Sequence, residues 1–147
     1  MPVWSRDEYA RRVRAQERTQ LVQAIAWDGE APVGRGMVLF PEHEEYSDSG
    51  TRERCAEVRD VFVLPERRRS GVATAVMRVL EDAARANGMS RVGLAVSISE
   101  DAEPACRLYE ALGYRHAHGP FISSTTLVGE DGPLPVGSAM TYLVKER

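Results

Sequence analysis

The chain has 147 residues, 43% of them hydrophobic and 28% charged, which suits one globular domain spanning residues 1–147 and fits neither a disordered nor a fibrous protein. The net charge of −3, from 19 basic and 22 acidic residues, argues against a general nucleic-acid binder, whose affinity would come mainly from phosphate neutralisation. Two cysteines, Cys55 and Cys106, provide neither a disulfide framework nor a metal-ligand cluster; with no apolar N-terminal run the expected location is the cytoplasm, with no membrane and no metal involved.

In chain order, Ser5 to Arg18 reads as a polar helix, with Ser5 and Glu8 forming a capping box and Tyr9 and Val13 inward. Its arginines read as a solvated face rather than a nucleic-acid contact. Leu21–Trp27 and Val33–Phe40 are apolar runs around the turn signal Asp28-Gly29, hence a β-hairpin. Pro41 to Arg54 is an acidic loop carrying Glu42, Glu44, Glu45 and Asp48; it reads as solvated, although its charge also suits drawing in a cationic substrate. Ala56–Leu64 returns to strand. Simple alternation would put Asp60 on a face with Val58, Phe62 and Leu64, and Glu57 and Arg59 with Val61 and Val63, so a bulge is expected near Arg59-Asp60.

The stretch from Val61 to Ala73 organises the chain. It is the end of an apolar strand, a loop of cationic and small residues, and the first turn of a helix whose inner face is read as Val72, Val76, Val79, Leu80 and Ala83, with Arg78, Glu81, Asp82 and Arg85 outside and Asn87-Gly88 as its stop. A helix that starts at a glycine after a strand presents unpaired N–H groups and the positive end of its dipole. Arg67, Arg68 and Arg69 add charge beside it, so an anion, and a diphosphate in particular, is the expected guest. Val92, Leu94, Val96 and Ile98 then alternate as a strand, and Ser99–Ala102 form a loop. Pro104 opens a helix with Ala105, Leu108, Tyr109 and Leu112 inward, closed by Gly113. Tyr114–His118 is expected as a strand, followed by a long loop through Gly137 and a last strand over Ala139–Val144.

Two segments resemble the GNAT superfamily of acyl-CoA-dependent N-acetyltransferases. Arg68-Arg69-Ser70-Gly71-Val72-Ala73 fits the pattern Arg/Gln-x-x-Gly-x-Gly/Ala, preceded by Val63-Leu64-Pro65, and Ala105-Cys106-Arg107-Leu108-Tyr109-Glu110-Ala111-Leu112-Gly113-Tyr114 fits Ala-x-x-Leu-Tyr-x-x-x-Gly-Phe/Tyr. The resemblance covers residues 20–145; for the family's first strand only Val3-Trp4 is available before Ser5. It implies an α/β (α+β three-layer) fold: a GNAT-like central mixed, mostly antiparallel sheet with one parallel splayed strand pair, flanked by helices. It also implies acetyl-CoA as co-substrate, with Arg68, Arg69, Ser70, Gly71, Val72, Ala73 and Thr74 at its pyrophosphate and the backbone of Val61, Phe62 and Val63 at its pantetheine.

The activity implied is acetyl transfer to a primary amine of a small molecule, peptide or protein by direct attack in a ternary complex. Tyr109 is the implied general acid and Glu57 the candidate base, with Asp60 second and His116 and His118 as groups able to titrate near neutrality. A homodimer is compatible with an exposed sheet edge. The family's motif-opening asparagine is replaced by Ala102, so that contact is absent or made by Ser97 or Ser99. The alternative is a non-catalytic acyl-CoA-binding or regulatory protein on the same fold. A phosphate-loop nucleotide binder is disfavoured, because no Gly-Lys-Ser/Thr follows Gly71.

Overall fold

The computed structural model describes residues 21–40, 55–129 and 132–146. The helix expected over Ser5–Arg18, the Val3-Trp4 run and the acidic stretch Pro41–Arg54 lie outside the described residues. Six strands, β1 (Leu21–Asp28), β2 (Ala31–Leu39), β3 (Ala56–Val63), β4 (Arg91–Ser97), β5 (Arg115–Gly129) and β6 (Gly132–Glu146), form one sheet in the order β1-β2-β3-β4-β6-β5. Helix α1 (Val72–Ala86) follows β3, and α2 (Glu103–Ala111) follows β4 through a turn of 3-10 helix at Glu100–Ala102. Every neighbouring pair is antiparallel except β3 and β4, giving the mixed sheet that the resemblance implied. Among the described residues no helix is long and apolar enough to cross a membrane.

The hairpin β1–β2 closes with Gly29 at φ 60, the left-handed conformation that matches strand twist in a two-residue loop. On one face of the sheet Val38, Phe40, Ala56, Val58, Val92, Leu94 and Val96 pack against Val76, Met77, Leu80 and Ala84 of α1. Fully burying each large side chain contributes about 1.5–3 kcal/mol. The inner stripe of α1 therefore differs from the one expected: Met77 and Ala84 are in it, Val79 is 53% exposed, and Glu81 is 2% exposed. Position 81 is one turn beyond Met77, on the flank of the stripe, and its carboxylate is tolerated there because a tyrosine hydroxyl and an ammonium reach it.

Helix α1 lies close to β2 because Gly34 and Gly36 have no side chains. A Cβ on Gly36 would sit 2.9 Å from Val76 Cγ1 and 3.0 Å from Leu80 Cδ1, and one on Gly34 would sit 2.7 Å from Val72 Cγ1. The helix stops at Gly88 (φ 78), where the Met89 and Gly88 N–H groups donate to the carbonyls of Ala84 and Arg85 in a Schellman pattern.

The long loop expected between His118 and Gly137 is instead the distal part of a β5–β6 hairpin, paired from Arg115↔Val144 to Gly129↔Gly132. Proline and glycine suggested a loop, but Pro120 lies at a register shift on the edge strand β5, where a missing N–H costs little. Pro133 and Pro135 are two residues apart, so both direct their missing donor to the same edge of β6, and β4 pairs that strand only from Met140 onward. The β-prone run Ile122–Val128 decides the outcome.

Because α1 rests on bare backbone, Gly36→Ala should destabilise the fold by about 1–3 kcal/mol through overpacking against the stiff Val76. Urea unfolding should show a lower midpoint with an unchanged m-value.

Candidate active site

The site begins with a defect in β3. Along β2 the residues Arg35 and Met37 are two apart, yet their partners on β3 are Phe62 and Arg59, so β3 carries one extra residue. Asp60, at φ 56 and exposed, is that residue's conformational signature, as expected from the charges around it. The bulge resets the alternation: Val61 joins Val58 against the α1 side, and Val63 is buried beside Gly34. On its other edge β3 pairs with β4 only at Ala56↔Val92 and Glu57↔Gly93. Beyond Glu57 the two strands part, so among the described residues no strand covers that edge of Val61–Val63.

The loop after β3 turns on a short 3-10 helix (Pro65–Arg67). Arg69 (φ 64) and Gly71 (φ 86) both adopt left-handed conformations, and the Ser70 hydroxyl donates to the Arg67 carbonyl between them. A Cβ on Gly71 would meet nothing within 4 Å, so glycine is favoured there by φ rather than by space. The first intrahelical bond of α1 runs from the Ala75 N–H to the Gly71 carbonyl at 3.0 Å, which leaves the N–H groups of Val72, Ala73 and Thr74 without helical acceptors. The three arginines divide. Arg67 pairs with Asp28 of β1, and Arg68 donates from Nε to the Val63 carbonyl at 3.1 Å with its guanidinium 5.5 Å from the Phe62 ring centre. Arg69 is exposed, and no described residue holds it in an ion pair.

These parts enclose a groove of about 580 Å³, the size of a small-molecule site. Val61–Val63 form one wall; Arg67, Arg68, Arg69, Gly71 and the first turn Val72–Thr74 form its cationic end; Asp101, Pro104, Ala105, Leu108 and Tyr109 form the facing wall. Of the residues expected at a cofactor, Val61, Phe62, Val63, Arg68, Arg69, Gly71, Val72, Ala73 and Thr74 all line it, while Ser70 braces the loop from outside the lining. Tyr109 lines it too. Glu57 does not: it is 5% exposed, and its carboxylate takes the Arg59 guanidinium at 2.7 Å. Asp60, Ser97, Ser99, His116 and His118 are also outside this lining; His118 stacks on Phe121 and meets the Tyr142 ring at a tilt. Arg67, expected to add charge beside the helix start, lines the groove as well, whereas sequence reasoning missed Asp101. A signal for Asp101 exists, since 101, 104, 105, 108 and 109 follow helical spacing on one face.

The acetyltransferase (GNAT) family model matches residues 2–114. The chain belongs to the GNAT acetyltransferase family. Among curated proteins none matches the sequence. In fold, this GNAT chain is similar to the ribosomal-protein-alanine N-acetyltransferase of Brucella melitensis, with TM-score 0.69 and 13% identity over 99% of this chain and 81% of that one. It is similar also to the PaiA N-acetyltransferase of Thermoplasma acidophilum in complex with coenzyme A (TM-score 0.64, 12% identity, 97% of this chain and 74% of that one). An aminoglycoside 6'-N-acetyltransferase complexed with coenzyme A gives 0.59 at 16% identity, over 95% and 80%.

In this GNAT chain the Tyr109 phenol is pushed up to about 12, first by its burial in the α2 wall and then by the neighbouring Cys106. It therefore stays protonated across the neutral range, as a donor. Burial also raises the Cys106 thiol, with Glu110 and Glu103 adding to the effect. The Tyr109 shift predicts a difference at alkaline pH. In the unfolded chain the phenol loses its proton near 10. The folded chain holds it to about 12. The stability this group contributes is therefore complete below pH 10 and drains away as pH rises toward 12. Tyr109→Phe should lose less stability than the parent between pH 10 and 12, by about 2 kcal/mol, in urea titrations at stepped pH.

Proposed function

We propose that the protein transfers an acetyl group from acetyl-CoA to a primary amine of a small molecule or peptide, both substrates being bound together. The observation that carries this reading is the groove itself: three helix-start N–H groups at its cationic end lead to the uncovered edge of Val61–Val63 and then to Tyr109. Family membership supports it, as do the coenzyme A complexes of structural neighbours.

On this reading the pyrophosphate sits at the N–H groups of Val72, Ala73 and Thr74 with Arg69 as the mobile counter-charge, and the pantetheine lies along β3 as a surrogate strand. The amine lone pair attacks the thioester carbon. The C–N bond forms as charge moves onto the carbonyl oxygen, where the backbone N–H near Val61 donates. Collapse then breaks the C–S bond, and the sulfur leaves with the electron pair. Glu57, outside the groove lining, takes the amine proton through water.

Tyr109 assists departure by donating a hydrogen bond. Complete transfer from a phenol near 12 to the thiolate of an ordinary thiol near 8.5 would be uphill by about 5 kcal/mol. Hydrogen bonding to the developing thiolate carries no such cost.

Calorimetry should detect acetyl-CoA binding, and Gly71→Val, which forces a β-branched residue into the left-handed region, should weaken it at least about tenfold. A thiol-release assay against an amine panel tests the chemistry. Tyr109→Phe should lower kcat by about 10- to 100-fold, the worth of a hydrogen bond to a charged group, with KM for acetyl-CoA nearly unchanged. Unaltered turnover across pH would remove Tyr109 from the mechanism, and coenzyme A binding without thiol release from any amine would mark the chain as an acyl-CoA-binding module.

A further inference from the structure

One polar cluster lies outside the groove and has no part in the chemistry above. Glu81 of α1, 2% exposed, accepts a hydrogen bond from the Tyr114 hydroxyl at 2.9 Å and pairs with the Lys145 ammonium of β6 at 3.0 Å, with the Lys145 side chain 21% exposed. The same ammonium is 5.8 Å from the Tyr114 ring centre. Tyr114 itself is fully buried at the corner between α2 and β5. Lys145 is the single lysine among 19 basic residues. Its stem runs beside Gly113, where an added Cβ would meet Lys145 Cε at 3.4 Å.

A carboxylate taken into the interior costs several kcal/mol in desolvation, and a hydrophobic trio of the same volume would often be no less stable. Stability alone is therefore a weak reason for this arrangement. Its geometry supplies a better one. The Tyr114 N–H donates to the Tyr109 carbonyl at 3.0 Å, and the two rings meet edge to face with centres 6.0 Å apart. Tyr109 is thus held through both backbone and ring by a residue whose far end is fastened to α1. Helix α1 is also the element whose first turn forms the cationic end of the groove. The trio ties the position of the phenol on one wall to the anion-binding turn on the other.

We propose that Glu81, Tyr114 and Lys145 are positioning residues for Tyr109, setting where its hydroxyl stands relative to a thioester whose phosphates are held at the start of α1. The proposal rests on the acetyl-transfer reading above. The ammonium fixes the carboxylate, the carboxylate fixes the Tyr114 hydroxyl, and the ring and main chain of Tyr114 fix Tyr109.

The test is a double-mutant cycle on the full chain. Tyr114→Phe removes one hydroxyl and leaves the Glu81–Lys145 pair intact. It should lower kcat by about fivefold while KM and the calorimetric Kd for acetyl-CoA stay within about twofold, and it should have no further effect in a Tyr109→Phe background. Glu81→Gln, which can still accept from Tyr114, should give a smaller loss in kcat and serves if Tyr114→Phe folds poorly. An equal loss in both backgrounds, or a fall in coenzyme affinity parallel to that in kcat, would overturn the proposal.

A readout independent of turnover uses protein labelled with 13C at tyrosine Cζ, the Tyr109 resonance being identified by its disappearance in Tyr109→Phe. Tyr114→Phe and Glu81→Gln should both shift or broaden that resonance. An unmoved resonance sinks the positioning role. Failure of the parent protein to bind acetyl-CoA instead sinks the acetyl-transfer reading, and the resonance still decides the other question.

Discussion

The candidate site is built around two parallel strands that pair for two residues and then separate. Between Ala56↔Val92 and Glu57↔Gly93 the ladder is ordinary; past it β3 bends away, with the extra residue at Asp60 taking up the change in direction. Leaving backbone groups without a strand partner costs free energy unless something else satisfies them. Rigidity in the surroundings keeps the opening from closing. Pairing with β2 resumes at Arg35↔Phe62 and Gly34↔Val63 after the bulge, and α1 lies hard against Gly34 and Gly36. Among the described residues the strand is held from one side and uncovered by any strand on the other, which is the arrangement a strand-like ligand needs.

The electrostatics of the groove are local. A chain of net charge −3 collects positive potential at one loop by placing Arg67, Arg68 and Arg69 before a helix whose first N–H groups lack acceptors within the helix. Two of the three arginines are engaged in holding the loop, Arg67 to Asp28 and Arg68 to the Val63 carbonyl. The fixed backbone donors therefore carry shape, while Arg69 retains freedom to follow a ligand. A guanidinium already donating to a carbonyl adds less to anion affinity than its formal charge suggests.

Much of this was legible in the residues, and the misses have physical causes. The bulge at Asp60 could be read because simple alternation forced charges into both faces of an apolar strand, a contradiction that one inserted residue removes. The glycine-started helix could be read because strand, cationic loop and amphipathic helix occur in the order that makes an anion site. Two features could not be read locally. Glu81 is inside because its partners, Tyr114 and Lys145, are 33 and 64 residues away in sequence, and no window on α1 contains them. The reach of the β5–β6 hairpin was hidden by prolines whose cost depends on which edge their missing donors face, a property of the sheet rather than of the segment. Asp101, by contrast, carries a local signal, its helical spacing with Pro104, Ala105, Leu108 and Tyr109, beside the position where the family motif has asparagine.

Under the proposed reaction, the arrangement of Tyr109 and Glu57 gives the parted strands a chemical meaning. Val58 packs into the core under α1, so Glu57, its neighbour on an alternating strand, belongs to the opposite face, as do its cross-strand partners Leu39 and Gly93. Gly93 leaves room there for Tyr142, whose hydroxyl would collide with a Cβ at that position. Tyr109 stands on the α1 side, in the groove. Under the proposed reaction the acid-like donor and the base thus lie on opposite faces of one sheet, and the opening that begins immediately after Glu57 offers a route between them. A thioester carbonyl placed at the apex of that opening would have its sulfur toward Tyr109 and the incoming amine toward Glu57. On the proposed reaction the break in the ladder would be more than a slot for the coenzyme: it would be the passage through which bond making on one face and bond breaking on the other act on the same carbon.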